Sequence, residues 1–325
     1  MPDRPVALVT APIGGPAVER LRAVTDLVVD PWIDQRPLRL YNEHQLAARI
    51  DEEGASIVIC EADKVRGPVF ERPLLAVGST RGDPTNVDVE GATAAGIPVL
   101  HAPGRNADAV AELTVALLFA VTRHLLPADQ DVRAGEIYRD GTIPYQRFRA
   151  HQLAGRTAGL IGLGAVGRAT RWRLEGLGMR VIAADPYAAD ATHSLDDLLA
   201  EADVVSMHAK VTDETLGLID RDAIACMKPG AVYLNTARAA LHDIAALTEA
   251  LTSGHLGGAG LDHFQGEVLD PAHPLSQLPN VVLTPHIGGA TYDTEANHTT
   301  IIAADIIRLL AGERPEHIVN PEVLK

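Results

Sequence analysis

GLIGLGAVGRATRWRLEGLGMRVIAADPY, residues 159–187, decides how the rest of this 325-residue chain is read. It continues an apolar run, TAGLI (157–161), that has the character of a buried strand. Gly162, Gly164 and Gly167 follow at G-x-G-x-x-G spacing, and an amphipathic stretch then runs to a stop before Gly178. In that context each glycine has its own physical reason. The first permits a tight turn, the second lets backbone approach a pyrophosphate, and the third lets helix and strand pack closely, while the helix N-terminus favours the anion. Gly162, Gly164, Ala165, Val166 and Gly167 are therefore the expected phosphate cradle. The next strand, RVIAA, ends at Asp185, where a carboxylate can accept hydrogen bonds from the hydroxyls of an adenosine ribose. The segment ADPYAAD (184–190) holds no Arg or Lys to pair with a 2′-phosphate, so NAD is expected rather than NADP.

Working outward, short strand-like runs recur after residue 157: TAGLIG, RVIAAD, DVVSMH, AVYLNT, GAGLDH and NVVLTP. The pieces between them carry helix start and stop signals, such as Ser194 with Asp197 and the closing Gly254. Six strands of a parallel sheet with right-handed crossovers are expected. A second alternating series precedes residue 105, in VALVTA, DLVVD, SIVICEA, LLAVGST and IPVLHA. Two long helical stretches, NADAVAELTVALLFAVTRHLL from Asn106 and TYDTEANHTTIIAADIIRLLAG ending at Gly312, join the two series. The expected fold class is α/β, with two Rossmann-like or flavodoxin-like domains built on parallel sheets. The cofactor domain, 106–289, is inserted into a discontinuous substrate domain made of 1–105 plus 290–325. That insertion explains why a domain-opening fingerprint stands mid-chain.

Composition narrows the partners. With 28 basic against 43 acidic side chains the formal charge is −15, which repels nucleic acid and anionic membranes. The two cysteines, Cys60 and Cys226, form neither a disulfide framework nor a metal-ligand cluster, so no metal is expected and the setting is expected to be cytoplasmic. The most apolar helical run, LTVALLFAVT (113–122), is short for a membrane span, and the first residues lack a basic segment leading into an apolar core.

Nicotinamide chemistry on a hydroxyl or keto group needs a proton donor or acceptor and a holder for an anionic substrate. Arg238 follows the run AVYLNT, Glu267 follows GLDHF and His286 follows NVVLTP, all at the carboxyl ends of parallel strands, where α/β sheets bind ligands. Taken singly, each could be a solvated loop residue or a strand terminator. Their joint placement is harder to dismiss.

These segments, KPGAVYLNTARAALHD, GLDHFQGEVLDPAHPL and NVVLTPHIGGAT among them, resemble the D-isomer-specific 2-hydroxyacid dehydrogenases in order and spacing over essentially the whole chain. NVDVEGATAAGIPVLHAPGRNADAVAELTVALL looks most like the phosphoglycerate dehydrogenase branch. The resemblance implies interconversion of a D-2-hydroxy acid and its 2-keto acid, with a polar or phosphorylated tail such as that of 3-phosphoglycerate, by an enzyme that works as a homodimer. It implies His286 as acid and base, Glu267 as its partner and Arg238 on the substrate carboxylate. It also implies cofactor contacts from Ala209, Thr236, Ala237, Asp262 and Gly288, and substrate contacts from the STRGD loop, with Arg81 and Gly82. The chain departs from the family pattern at Lys210, Ala239 and Val268, which removes no functional group but touches loop geometry. Arg133, Arg139, Arg147 and Arg149 form either a solvated basic loop or a clamp for a second anionic group. The alternative to an enzyme is an NAD-sensing, corepressor-like binding protein of the same fold.

Overall fold

The structure is a computed structural model that describes residues 4–324. It separates into two compact units, Met1–Asn106 with Thr291–Lys325, and Ala107–Ala290. Each is an α/β unit around one parallel sheet.

In the first unit the strands are β1 (Val6–Val9), β2 (Asp26–Val29), β3 (Ile57–Cys60), β4 (Ala76–Ser79) and β5 (Val99–Leu100), in the order β2-β1-β3-β4-β5. β1, β3 and β4 are buried almost end to end, as their apolar composition requires of strands covered on both faces. The helix Glu43–Glu53 opens on a capping box between Asn42 and Gln45 and stops at Gly54, whose φ of 61° suits a residue without a Cβ. The helix Tyr292–Leu310, capped by Thr291, lies so close over β4 that a Cβ on Gly78 would stand 2.9 Å from Ile302 Cγ2. Beyond it Ile318 pairs antiparallel with Leu100, and the Asn320 amide accepts from Val99 N and donates to Ile97 O. Residues 318–320 are thus stitched into the sheet to which β1 belongs.

The second unit contains β6 (Thr157–Ile161), β7 (Arg180–Ala184), β8 (Val204–Met207), β9 (Val232–Asn235), β10 (Gly258–Leu261) and β11 (Val281–Leu283), all parallel, in the order β11-β10-β9-β8-β6-β7. The chain builds outward in one direction from β6 to β7 and in the other from β8 to β11, so the strand order reverses beside β6. A crevice at the carboxyl ends of the strands forms at such a point. Ser194, Asp220 and Asp243 cap the helices that begin at Leu195, Arg221 and Ile244, each contributing about 1 kcal/mol.

One element differs from the sequence expectation. The run from Asn106 to Leu126 is not a single helix: Ala107–Thr122 ends, His124 takes a left-handed φ of 53°, and Leu125–Ala134 leaves at 61°. Neither helix is long and apolar enough to cross a membrane, nor is any other single helix among the described residues. The first of the two lies almost directly on β10. A Cβ on Gly258 would stand 2.5 Å from Val121 Cγ1 and 2.6 Å from the Asn280 carbonyl, so the strand can carry no side chain there. Gly258→Val should therefore destabilise the second unit by about 1–3 kcal/mol through overpacking. Urea unfolding followed by tryptophan fluorescence and circular dichroism reads this as a lower midpoint, and an unchanged midpoint would show that the helix is not so tightly seated.

Candidate active site

The glycine loop joins β6 to the helix Ala165–Gly176. Gly162 has φ 97°, and a Cβ on it would meet Ala209 N at 2.7 Å; a Cβ on Gly167 would lie 2.1 Å from Gly162 O. Both glycines are forced by packing. Gly164 is different, because a Cβ there would meet nothing within 4 Å. It is the exposed N-cap of the helix, and no side chain caps the amides that follow. Open space in front of uncapped helical amides is what a pyrophosphate needs. Ala165 and Val166 supply the first turn. Asp185, at the end of β7, accepts from Leu163 N at 2.7 Å and from Tyr187 N at 2.9 Å. Each carboxylate oxygen keeps a lone pair for a ribose hydroxyl. Ala209 follows β8 and packs against Gly162, so the residues at this strand end fit a dinucleotide.

At the carboxyl ends of β9, β10 and β11 stand the three reactive candidates. His286 Nδ1 and Glu267 Oε1 are 2.8 Å apart. Both residues adopt left-handed backbone, with φ 54° and 60°, although neither is Gly or Asn. Such conformations cost about 1–3 kcal/mol each and persist where surrounding structure enforces them, commonly at functional sites. The enforcement is visible. Asp262, fully buried after β10, accepts from Thr284 Oγ1 at 2.6 Å, Ile287 N at 2.9 Å and Gly288 N at 2.9 Å, so one carboxylate holds both ends of the turn that carries His286. Gly288 permits the approach, since a Cβ would lie 3.1 Å from Asp262 Oδ2.

Arg238 is held in a similar way from β9. The buried Asn235 amide accepts from Ala237 N and donates to Arg238 O, both at 2.9 Å, and also bonds His242 Nδ1. Thr236 is buried with its hydroxyl 2.8 Å from that of Thr114. The Arg238 guanidinium lies exposed, with Nη1 2.6 Å from Ala237 O and 3.4 Å from His263 Nε2.

Sequence alone does not single out His263 or Asn235, though both stand inside the quoted strand-end runs. His263 is 4% exposed and its ring centroid is 3.8 Å from that of His286, inclined by 52°. Burial, with the neighbouring His286 and Arg238 charges, pushes it down to about 3. It stays a neutral imidazole. His263, Glu267 and His286 each offer a donor atom within 4.8 Å of the others, a spacing a divalent ion could span. Arg238 beside His263 sets a fixed positive charge against that use.

The remaining sequence candidates belong to other segments. Arg81, partly buried, and Gly82, exposed, follow β4 in the first unit; Arg81 O accepts from Ala102 N, Gly82 O meets His101 Nδ1 at 2.8 Å, and the neighbouring Thr80 hydroxyl is buried with no partner among the described residues. In the basic segment Arg147 donates to Asp131, Thr142 and the Ile137 carbonyl, Arg139 pairs with Asp131 and Glu136, and Arg133 with Asp129. These arginines fold their own segment.

Residues 115–288 match the D-isomer specific 2-hydroxyacid dehydrogenase, NAD binding domain, family. The chain is 37% identical to a glyoxylate reductase of Thermofilum pendens, over 99% of this chain and 96% of that protein. It is 36% identical to a D-3-phosphoglycerate dehydrogenase of Mycobacterium leprae, over 98% of this chain but 59% of that longer protein. Among solved structures it is similar to the TT0316 protein of Thermus thermophilus, with a TM-score of 0.82 and 37% identity over 97% of this chain and 99% of that one. The chain belongs to the D-isomer-specific 2-hydroxyacid dehydrogenase family. It is an NAD-dependent oxidoreductase acting on CH–OH donors.

Two outcomes follow from these contacts. With the adenosine ribose at Asp185, as the sequence reading expects, the carboxylate would repel a 2′-phosphate, so NADP should be used far less efficiently than NAD, and Asp185→Ser should narrow the gap. Equal kcat/KM with both cofactors in the unmutated protein contradicts this. Asp262→Ala strands two backbone amides and a hydroxyl, and should lower stability by about 2–4 kcal/mol, read as a fall in the urea midpoint. A midpoint unmoved by that change would mean the turn holds itself.

Proposed function

We propose that the chain interconverts a D-2-hydroxy acid and its 2-keto acid with His286 as acid and base, Glu267 as its orienting partner and Arg238 as the group that binds the substrate carboxylate. The observation that carries this reading is the 2.8 Å contact between His286 Nδ1 and Glu267 Oε1. Glu267 accepts the Nδ1 proton, which fixes the tautomer and leaves Nε2 as the atom that exchanges a proton with the substrate oxygen. When bound, the cofactor would supply the hydride as NADH and accept it as NAD⁺. In reduction of the keto acid His286 Nε2–H donates to the oxygen as negative charge develops there; in oxidation the neutral Nε2 takes the hydroxyl proton. Arg238 presents a planar fork of donors that matches a carboxylate in two hydrogen bonds and stays charged throughout.

Ala209, Thr236, Ala237, Asp262 and Gly288 are proposed as the cofactor-lining set beside the glycine loop, with Arg81 and Gly82 as further substrate contacts. For the substrate we favour a short 2-keto acid over a phosphorylated one. Of the arginines of residues 133–149 that would clamp a second anion, Arg133, Arg139 and Arg147 are engaged within their own segment, and the glyoxylate reductase of T. pendens matches over nearly its full length. A homodimer is proposed on the apolar side chains left exposed along Leu125–Tyr145, among them Leu125, Val132, Tyr138 and Tyr145 at 50%, 62%, 78% and 76%. The two cysteines, both free, suit the proposed cytoplasmic setting.

His286→Ala should lower kcat for keto-acid reduction by about 10²–10⁴-fold while leaving NADH affinity unchanged. A loss of NADH binding in step with activity would assign His286 a structural or cofactor role instead. Val132→Asp should yield monomers in light scattering; an unmoved dimer, or a monomeric parent, removes this face from the assembly.

A further inference from the structure

We propose that His263 is a positioning residue whose Nε2 lone pair sets the direction of the Arg238 guanidinium while its ring backs the imidazole of His286. The inference rests on the proposed role of Arg238 in binding the substrate carboxylate.

Three features of the site lead to it. First, Arg238 Nη1 and His263 Nε2 are 3.4 Å apart, and a guanidinium has no lone pair to offer. Nε2 must therefore be the accepting nitrogen and Nδ1 the protonated one. Second, the residue is 4% exposed and its ring packs against that of His286, 3.8 Å away between centroids. Third, burial pushes the imidazole down to about 3, so the ring is neutral at neutral pH. Neutrality matters for what the contact can do. A carboxylate in this place would form an ion pair with Arg238 and compete with the substrate's own carboxylate for the same donors. A neutral acceptor takes one N–H, joins Ala237 O, 2.6 Å from the same Nη1, in fixing the plane of the fork, and adds no negative charge that would compete with the ligand. The same ring closes one side of His286, so a single buried side chain touches both the carboxylate-binding and the proton-exchanging group.

The test compares steady-state reduction of a short 2-keto acid such as glyoxylate or pyruvate by NADH in the unmutated enzyme, His263→Phe and His263→Gln. Phenylalanine keeps a ring against His286 but removes the acceptor; glutamine keeps an acceptor without the ring. His263→Phe should raise KM for the keto acid about tenfold, with NADH affinity unchanged and kcat altered less than KM. His263→Gln should restore KM to near the unmutated value. An unmoved KM in His263→Phe, or an equal rise in both variants, would overturn the proposal and leave His263 as packing alone. If His263→Phe does not give an NADH-binding protein, His263→Leu against His263→Gln makes the same comparison. Arg238→Lys separates the two layers of the argument. If it leaves KM unchanged, the role of Arg238 is wrong; if it raises KM while His263→Phe does not, only the positioning role falls.

Discussion

The candidate site depends on one buried carboxylate. Asp262 is fully enclosed, and a charge in that position is tolerable only if its oxygens are hydrogen-bonded. Thr284, Ile287 and Gly288 meet that need, and in doing so they fold the residues after β11 into a turn that a free peptide would avoid. The left-handed backbone of His286 is a consequence of that turn, as is the direction in which its ring meets Glu267. On the neighbouring strand Asn235 has the equivalent role, gripping the backbone on both sides of Arg238. The exposed, reactive side chains are thus mounted on backbone fixed by unexposed polar ones. Local strain at the site is borne by hydrogen bonds beneath it.

Parallel topology supplies the rest. Because β8, β9, β10 and β11 point the same way, the residues that follow them gather along one edge of the sheet, beside the glycine loop that follows β6. Close packing shapes the glycine loop at that edge. Gly162 and Gly167 let loop, helix and strand approach to distances no side chain would allow, and Gly164 leaves the helical amides uncovered. The cofactor loop and the reactive groups are therefore two products of one sheet, set by the point at which its strand order reverses.

Much of this was legible in the sequence because it is written in local patterns. Strands appear as short apolar runs, helix starts as Ser or Asp followed by an apolar period, and the cradle as three glycines at fixed spacing. The strand-end positions of Arg238, Glu267 and His286 came from the same arithmetic. What escaped depends on tertiary contact. His263 is one more residue after a strand until the fold brings it between Arg238 and His286. Asn235 looks like a strand end and proves to be the brace of a loop. The break at His124, by contrast, is announced locally by Pro127, which has no N–H to bond the Arg123 carbonyl and whose ring would clash with it in a continuous helix. Arg147 reads as a candidate anion ligand until Asp131 and the Ile137 carbonyl are seen to occupy it.

The central claim is that the fixed pair of His286 and Glu267, with Arg238 beside them, performs proton exchange for a keto-acid reduction. It is tested most directly by following NADH oxidation by the purified protein with a panel of 2-keto acids and resolving the configuration of the product. The account predicts turnover well above background with at least one short 2-keto acid, giving the D-2-hydroxy acid. A protein that binds NADH tightly yet reduces none of them would contradict it, and would point instead to a chain that uses this fold to sense the cofactor.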